Sequence, residues 1–191
     1  MSTQPSTSAR PLRADARRNR ERILDAARCA CAEHGASVQM DDVARGAGVG
    51  VGTVYRHFPT KEALIEAIVA EKYRAAIENA RAALDIEDPW TGFAELLRRN
   101  AANMAHAATL RDAYARLHGD AVPAAVEGQA ELQAVAGQVL ARAQQAGVVR
   151  DDVTVDDIAV LMSGLRASME RPGETWRRHL ELLLDGLRPP R

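Results

Sequence analysis

Residues 48–58 read GVGVGTVYRHF, three glycines alternating with valines ahead of a threonine, a tyrosine, an arginine and a histidine. Glycines so spaced could cradle a phosphate, because they let backbone N–H groups come close to an anion. They could instead make a tight turn and open a helix that carries Thr53, Tyr55, Arg56 and His57 outward, toward a polyanion. A dinucleotide loop needs a strand before its glycines and the third glycine of G-x-G-x-x-G. Here the preceding segment, MDDVARGA, sets Met40, Val43, Ala44 and Ala47 on one helical face, the spacing is Gly48-x-Gly50-x-Gly52, and no G-K-[ST] follows. Helix, turn, helix is the better reading. Ala47-Gly48-Val49 makes the turn, with Gly48 able to take a positive φ. The next helix points Val54 and Phe58 inward and offers Thr53, Tyr55, Arg56 and His57 to a groove and its phosphates.

Other candidate chemistry is thin. Cys29 and Cys31 stand two apart, about 200° around a helix, so they neither bridge nor readily share a metal. Cys31 and His34 do share a face; they could hold a metal, or Cys31 could be a small packing residue. His106 and His118 have no cysteine or paired acids at ligand spacing nearby. Asp151-Asp152 and Asp156-Asp157 flank a helix start, where acids serve the helix dipole. Neither G-x-S-x-G nor H-E-x-x-H occurs. No enzyme, metal or cofactor is expected. A helical scaffold with weak, unselective DNA binding is the remaining alternative.

The elements that must position these residues read as helices throughout. Of 191 residues 47% are hydrophobic but only 4% aromatic, and alanine and leucine dominate, which favours helix over sheet. About nine helices are predicted in an all-α chain. Residues 1–12, MSTQPSTSARPL, read as a disordered arm. A helix follows from Arg13, with Ile23, Leu24, Ala27, Ala30, Cys31 and His34 as its stripe and Gly35 as its stop. Short helices over about 40–46, limited by Gly46 and Gly48, and about 50–57 come next. Thr60 caps a long helix over 61–84. Asp88-Pro89 opens one carrying Trp90, Phe93, Leu96, Leu97, Asn100 and Met104. Further helices are expected over about 109–118, from Pro123 to Ala146, from a capping box at Thr154–Asp157, and over about 174–187.

Net charge is −1, but residues 1–60 hold nine arginines against six acids, +3, leaving −4 for the remainder. A basic front on an acidic body suits a protein whose front alone meets a polyanion. The best apolar run, LIEAIVA at 64–70, is too short to span a membrane, and no N-terminal stretch resembles a signal peptide. The expectation is a cytoplasmic protein with no membrane partner.

The stretch from Ile23 to Val69 resembles the N-terminal domain of the TetR/AcrR family of bacterial transcriptional regulators. Gly48 through Leu64 match its G-V-x-x-G-T-[VL]-Y-x-H-F-x-[ST]-K-E-x-L pattern almost throughout, and the tail WRRHLELLLDGLRPP resembles the last helix of one large branch. The resemblance implies a helix-turn-helix DNA-binding domain over 13–60 and a ligand-binding and dimerisation domain over 61–191. It implies phosphate contacts from Tyr55, His57 and Lys61, with Val51, Gly52 and Thr53 where the family approaches bases and backbone. Two departures stand out. Gln39 replaces the usual Thr or Ser that caps the second helix and bonds a phosphate, and Gly50-Val51 replaces the usual Ser and basic residue. DNA contact then leans on Arg45, Arg56 and the basic Arg17, Arg18 and Arg20. Against this, Tyr55 could pack beside Phe58, His57 could be a solvated surface residue, and the arginines of 13–28 could form a solvated helix face.

The resemblance also implies a homodimer on a double-stranded DNA operator, built from the last two helices of each subunit. Ala159, Ser163, Gly164 and Ala167 would allow close approach, and Leu180, Leu183, Leu184 and Leu187 would supply apolar area. Some of these leucines must face their own core. A small hydrophobic or aromatic effector is implied between the helices of about 89–146. Asn100, Tyr114, His118 and Gln133 would be its polar partners, with Met104 and Met162 as adaptable lining. The helix over 61–84 joins that pocket to the reading head and is the natural lever.

Overall fold

The computed structural model describes residues 9–34, 37–105, 123–169, 173 and 175–190. Among these the protein is all-helical, with eight helices and no strand: α1 Ala9–His34, α2 Met40–Ala47, α3 Val51–His57, α4 Lys61–Leu84, α5 Pro89–Ala105, α6 Pro123–Gln145, α7 Val155–Met169 and α8 Thr175–Gly186. The predicted helix over 109–118 and the predicted stop at Gly35 lie outside the described residues.

Local signals set most of the boundaries. Thr60 Oγ1 accepts the Ala63 N–H at 3.1 Å and starts α4. Asp88 accepts from the Thr91 N–H at 2.8 Å ahead of Pro89 and starts α5. The box before α7 closes in both directions: the Asp157 N–H donates to Thr154 Oγ1 at 3.1 Å, and the Thr154 N–H donates to Asp157 Oδ2 at 2.9 Å. Gly147, at φ 68°, ends α6, and its neighbour Val148 returns an N–H to the Ala143 carbonyl at 3.1 Å.

Two boundaries differ from expectation. Helix α1 begins at Ala9, so the last four residues assigned to a disordered arm are helical. Pro11 does not prevent this, because the first helical N–H groups have no intrahelical acceptor to lose. Helix α2 runs through Gly46 to Ala47. Gly46 is a contact point rather than a stop, since a Cβ there would lie 3.3 Å from the Ala26 Cβ of α1.

The chain forms two compact units that divide within α4, between Ile68 and Val69. In the first unit, Ile23, Leu24, Ala27 and Cys31 of α1 are buried with Val43 and Ala44 of α2, Val54 of α3, Phe58, and Leu64 and Ile68 of α4. The division therefore falls after the first two turns of α4. In the second, Phe93, Leu96, Leu97 and Ala101 of α5 pack with Val139, Leu140 and Ala143 of α6, Leu165 of α7, and Trp176, Leu180 and Leu184 of α8. Gly92 lets α5 press on α4: a Cβ there would lie 2.6 Å from the Ala83 carbonyl oxygen. Arg142 of α6 closes the far end of α4, donating to the carbonyls of Leu84 at 2.8 Å and Glu87 at 2.7 Å. Among the described residues no helix is long and apolar enough to cross a membrane.

Candidate nucleic-acid interface

The turn between α2 and α3 is built as the glycines demand. Gly48 takes φ 62° and ψ 39°, with its N–H on the Arg45 carbonyl, and Val49 follows with its N–H on the Ala44 carbonyl at 3.0 Å. Such left-handed backbone strains any residue with a Cβ. Gly50 then starts α3, accepting the Thr53 N–H at 2.8 Å. Val54 is fully buried and Phe58, which closes the helix, is 3% exposed. With those two facing the core, the opposite side of α3 is turned outward.

That outward side carries the predicted DNA residues. Val51 is 38% exposed and Tyr55 48% exposed, two of the few large apolar side chains that the described residues leave open. Tyr55 is thus not a core partner of Phe58. Gly52 and Arg56 are exposed; Thr53, His57 and Lys61 are half-buried. The His57 ring lies 6.4 Å from that of Phe58. A Cβ at Gly50 or Gly52 would meet nothing within 4 Å, so these glycines leave the helix start open to a backbone from outside.

The departures from the family pattern have structural counterparts. Gln39 stands at the N-cap of α2, but its side chain makes no cap bond and instead donates to the Ser37 carbonyl at 2.9 Å. Arg45 is exposed and pairs with Asp42 at 3.0 Å. On α1, Arg17 and Arg18 pair with Glu21 and Asp15, while the Arg20 guanidinium lies over the Phe58 ring. Arg22, which the sequence gives no reason to single out, reaches the Ala47 carbonyl at 2.5 Å.

Cys31 is a core residue, 1% exposed. Burial pushes its thiol up to about 11, against the pull of the Lys61 charge, which keeps it protonated and a poor metal ligand. Cys29 is exposed.

The predicted effector residues are less unified. Asn100, half-buried on α5, accepts from Asn79 of α4 at 3.0 Å. Met104 is half-buried on α5, and Met162 of α7 packs on the second core. Gln133, half-buried on α6, donates toward Asp156 at the start of α7 at 3.4 Å. Tyr114 and His118 lie outside the described residues.

Residues 23–68 match the family description "Bacterial regulatory proteins, tetR family", and residues 88–189 match "Transcriptional regulator SbtR-like, C-terminal domain". The chain belongs to the TetR family. Its similarity to a solved TetR regulator from Mycobacterium vanbaalenii is 40% identity over 94% of this chain and all of that one, with a TM-score of 0.74. A TetR regulator from Streptomyces coelicolor is 29% identical over 90% of this chain and 99% of that one, also at 0.74. The HTH-type transcriptional regulator UidR of Escherichia coli K12 is 37% identical over 71 residues, a match spanning only 36% of that protein's length. This TetR-family protein is a DNA-binding transcriptional regulator.

Proposed function

We propose that the protein is a ligand-released repressor that binds a palindromic operator as a homodimer in the cytoplasm. The observation that carries the reading is the placement of its open apolar side chains. Among the described residues the exposed large hydrophobics are Val51 and Tyr55 on α3, Val160 on α7 and Leu182 on α8. The first pair suits DNA, and the second suits another subunit. Around Val160, the small residues Ala159, Ser163, Gly164 and Ala167 are all exposed on α7, which lets a partner helix approach closely. The apolar area on α8 differs from the one expected. Leu180, Leu184 and Leu187 are buried in the subunit's own core, and Leu182 is the exposed leucine.

In this reading Thr53 and Arg56 read bases, Tyr55, His57 and Lys61 hold phosphates, and Val51 and Gly52 let α3 sit close to the groove. Effector binding works only through differential affinity for the two dimer spacings, and the half-buried Asn79–Asn100 pair is where a polar effector group would compete with α4. The test is selection of bound duplexes from a random pool. An inverted repeat with half-sites about one helical turn apart, roughly 34–36 Å, is expected. Recovery of a single unrepeated half-site would remove the dimeric operator.

A further inference from the structure

Two arginines of α1 bracket α3: one holds the α2–α3 turn ahead of it, and the other stacks on Phe58, which closes it. Arg22 donates from Nη2 to the carbonyl of Ala47, the last residue of α2, at 2.5 Å. The last carbonyls of a helix have no partner within it, and a cation there opposes the negative helix end. The next residue is Gly48, and a Cβ built on it would lie 3.0 Å from the same Nη2, so the guanidinium packs directly on the turn. At the other end the Arg20 guanidinium carbon lies 5.3 Å from the Phe58 ring centroid, a cation–π distance. Phe58 closes α3 with its N–H on the Val54 carbonyl at 2.8 Å. Its ring is buried, so Arg20 stacks on a fixed surface.

Helix α3 has only seven residues, too few to be stable without neighbours. Its direction is set by what holds its ends. The neighbouring α1 is anchored by Ile23, Leu24 and Ala27, all fully buried.

We propose that Arg20 and Arg22 are positioning residues for base recognition: from α1 they set the angle at which α3 presents Thr53 and Arg56. The inference rests on α3 being the reading helix. A helix held at the wrong angle loses base-edge contacts, which need alignment. Phosphate contacts from long side chains tolerate the change. Arg28, paired with Asp25 within α1, is the control.

The experiment uses the full chain with Arg20→Gln, Arg22→Gln, Arg22→Lys and Arg28→Gln. Affinity is measured across salt for the best duplex selected from a random pool and for a scrambled duplex of equal length. The ratio of the two affinities cancels any fraction of unfolded protein, so it reports presentation and not stability. Arg20→Gln and Arg22→Gln should lower the ratio about tenfold or more, Arg22→Lys should recover part of it, and Arg28→Gln should leave it alone. The salt slope on the scrambled duplex should stay at the wild-type value. A slope lowered by about one with the ratio intact would make the two arginines phosphate contacts and overturn the proposal; an unaltered ratio would overturn it as well. Thr53→Ala separates the two levels. If it leaves the selected sequence unchanged, α3 is not the reader. If it shifts that sequence while the arginine variants keep their ratio, only the positioning role falls.

Discussion

Gly128 of α6 lies against Tyr73 of α4 so closely that a Cβ at position 128 would come 2.6 Å from the tyrosine Cβ and Cγ. Those atoms are at the root of the side chain and cannot swing aside. Gly128→Ala sets a helix-propensity gain of about 1 kcal/mol against overpacking of about 1–3 kcal/mol, and a contact this short puts the overpacking at the high end. The expected result is a lower melting temperature, by roughly 2–4 °C per kcal/mol lost in a chain of this size. Adding Tyr73→Gly, which removes the Cβ itself, should make the alanine at 128 neutral or stabilising relative to the Tyr73→Gly chain. A single Gly128→Ala variant that melts above the wild type would mean the two helices separate freely here.

The two cysteines should behave as different chemical species. A thiol reagent at about pH 8 should modify Cys29 alone in the native chain, and both once the chain is unfolded. Because burial holds the Cys31 thiol up at about 11, its native-state reaction should accelerate only as pH approaches that value. The same shift makes its contribution to stability complete below the unfolded thiol pKa and lost as pH rises through the folded one. Counting modified thiols by mass spectrometry decides it: two fast thiols in native protein would contradict the placement of Cys31.

Asp157 and Asp88 should make the fold acid-sensitive through their caps. Hydrogen bonds from Thr154, side chain first and then backbone, hold the Asp157 carboxyl below the ordinary aspartate value, and Thr91 does the same for Asp88. A depressed folded pKa contributes stability above the unfolded value, lost as pH falls through the folded one. Asp157→Asn should therefore lower the urea midpoint at about pH 7, and the difference from the wild type should shrink as pH falls below the ordinary aspartate range. A difference that persists unchanged into acid would assign the effect to something other than the carboxylate charge.

Val160→Glu and Leu182→Glu should split the dimer without unfolding the subunit, because these side chains are 71% and 52% exposed within it. Light scattering at micromolar concentration should fall from twice 20.7 kDa to 20.7 kDa, with helical circular dichroism retained. Leu184→Ala, at a 1% exposed position, should instead cost about 2–5 kcal/mol of fold stability. A wild-type chain that is monomeric at that concentration would end the dimeric reading.

Much of the helix layout was legible because its signals are local. Lys61–Leu84 matches its predicted limits, since Thr60 supplies a cap within three residues of the N–H it binds. The same holds for Asp88 with Thr91 and for Thr154 with Asp157. The inward face of α3 was equally legible: Val54 and Phe58 recur at i, i+4, and a seven-residue helix can bury only one face. The motif around Gly48 carried the family, because a left-handed turn followed by a helix with Tyr55 and His57 outward leaves little choice of residue.

What the sequence by itself determined, among the described residues, is therefore the set of elements, their order and the outward face of α3, all of which depend on residues a few positions apart. Tertiary structure alone decided which neighbour covers each apolar stripe. Periodicity puts Leu180, Leu183, Leu184 and Leu187 on one face, but it cannot say that Leu180, Leu184 and Leu187 meet the subunit's own core rather than a partner. It also decided the roles of Gly46, Gly92 and Gly128, which look like helix weaknesses in sequence and are sites of close helix approach in space. Arg22 and Ala47 are 25 positions apart. No pattern along the chain relates them, because the bond exists only once α1 and α2 have packed.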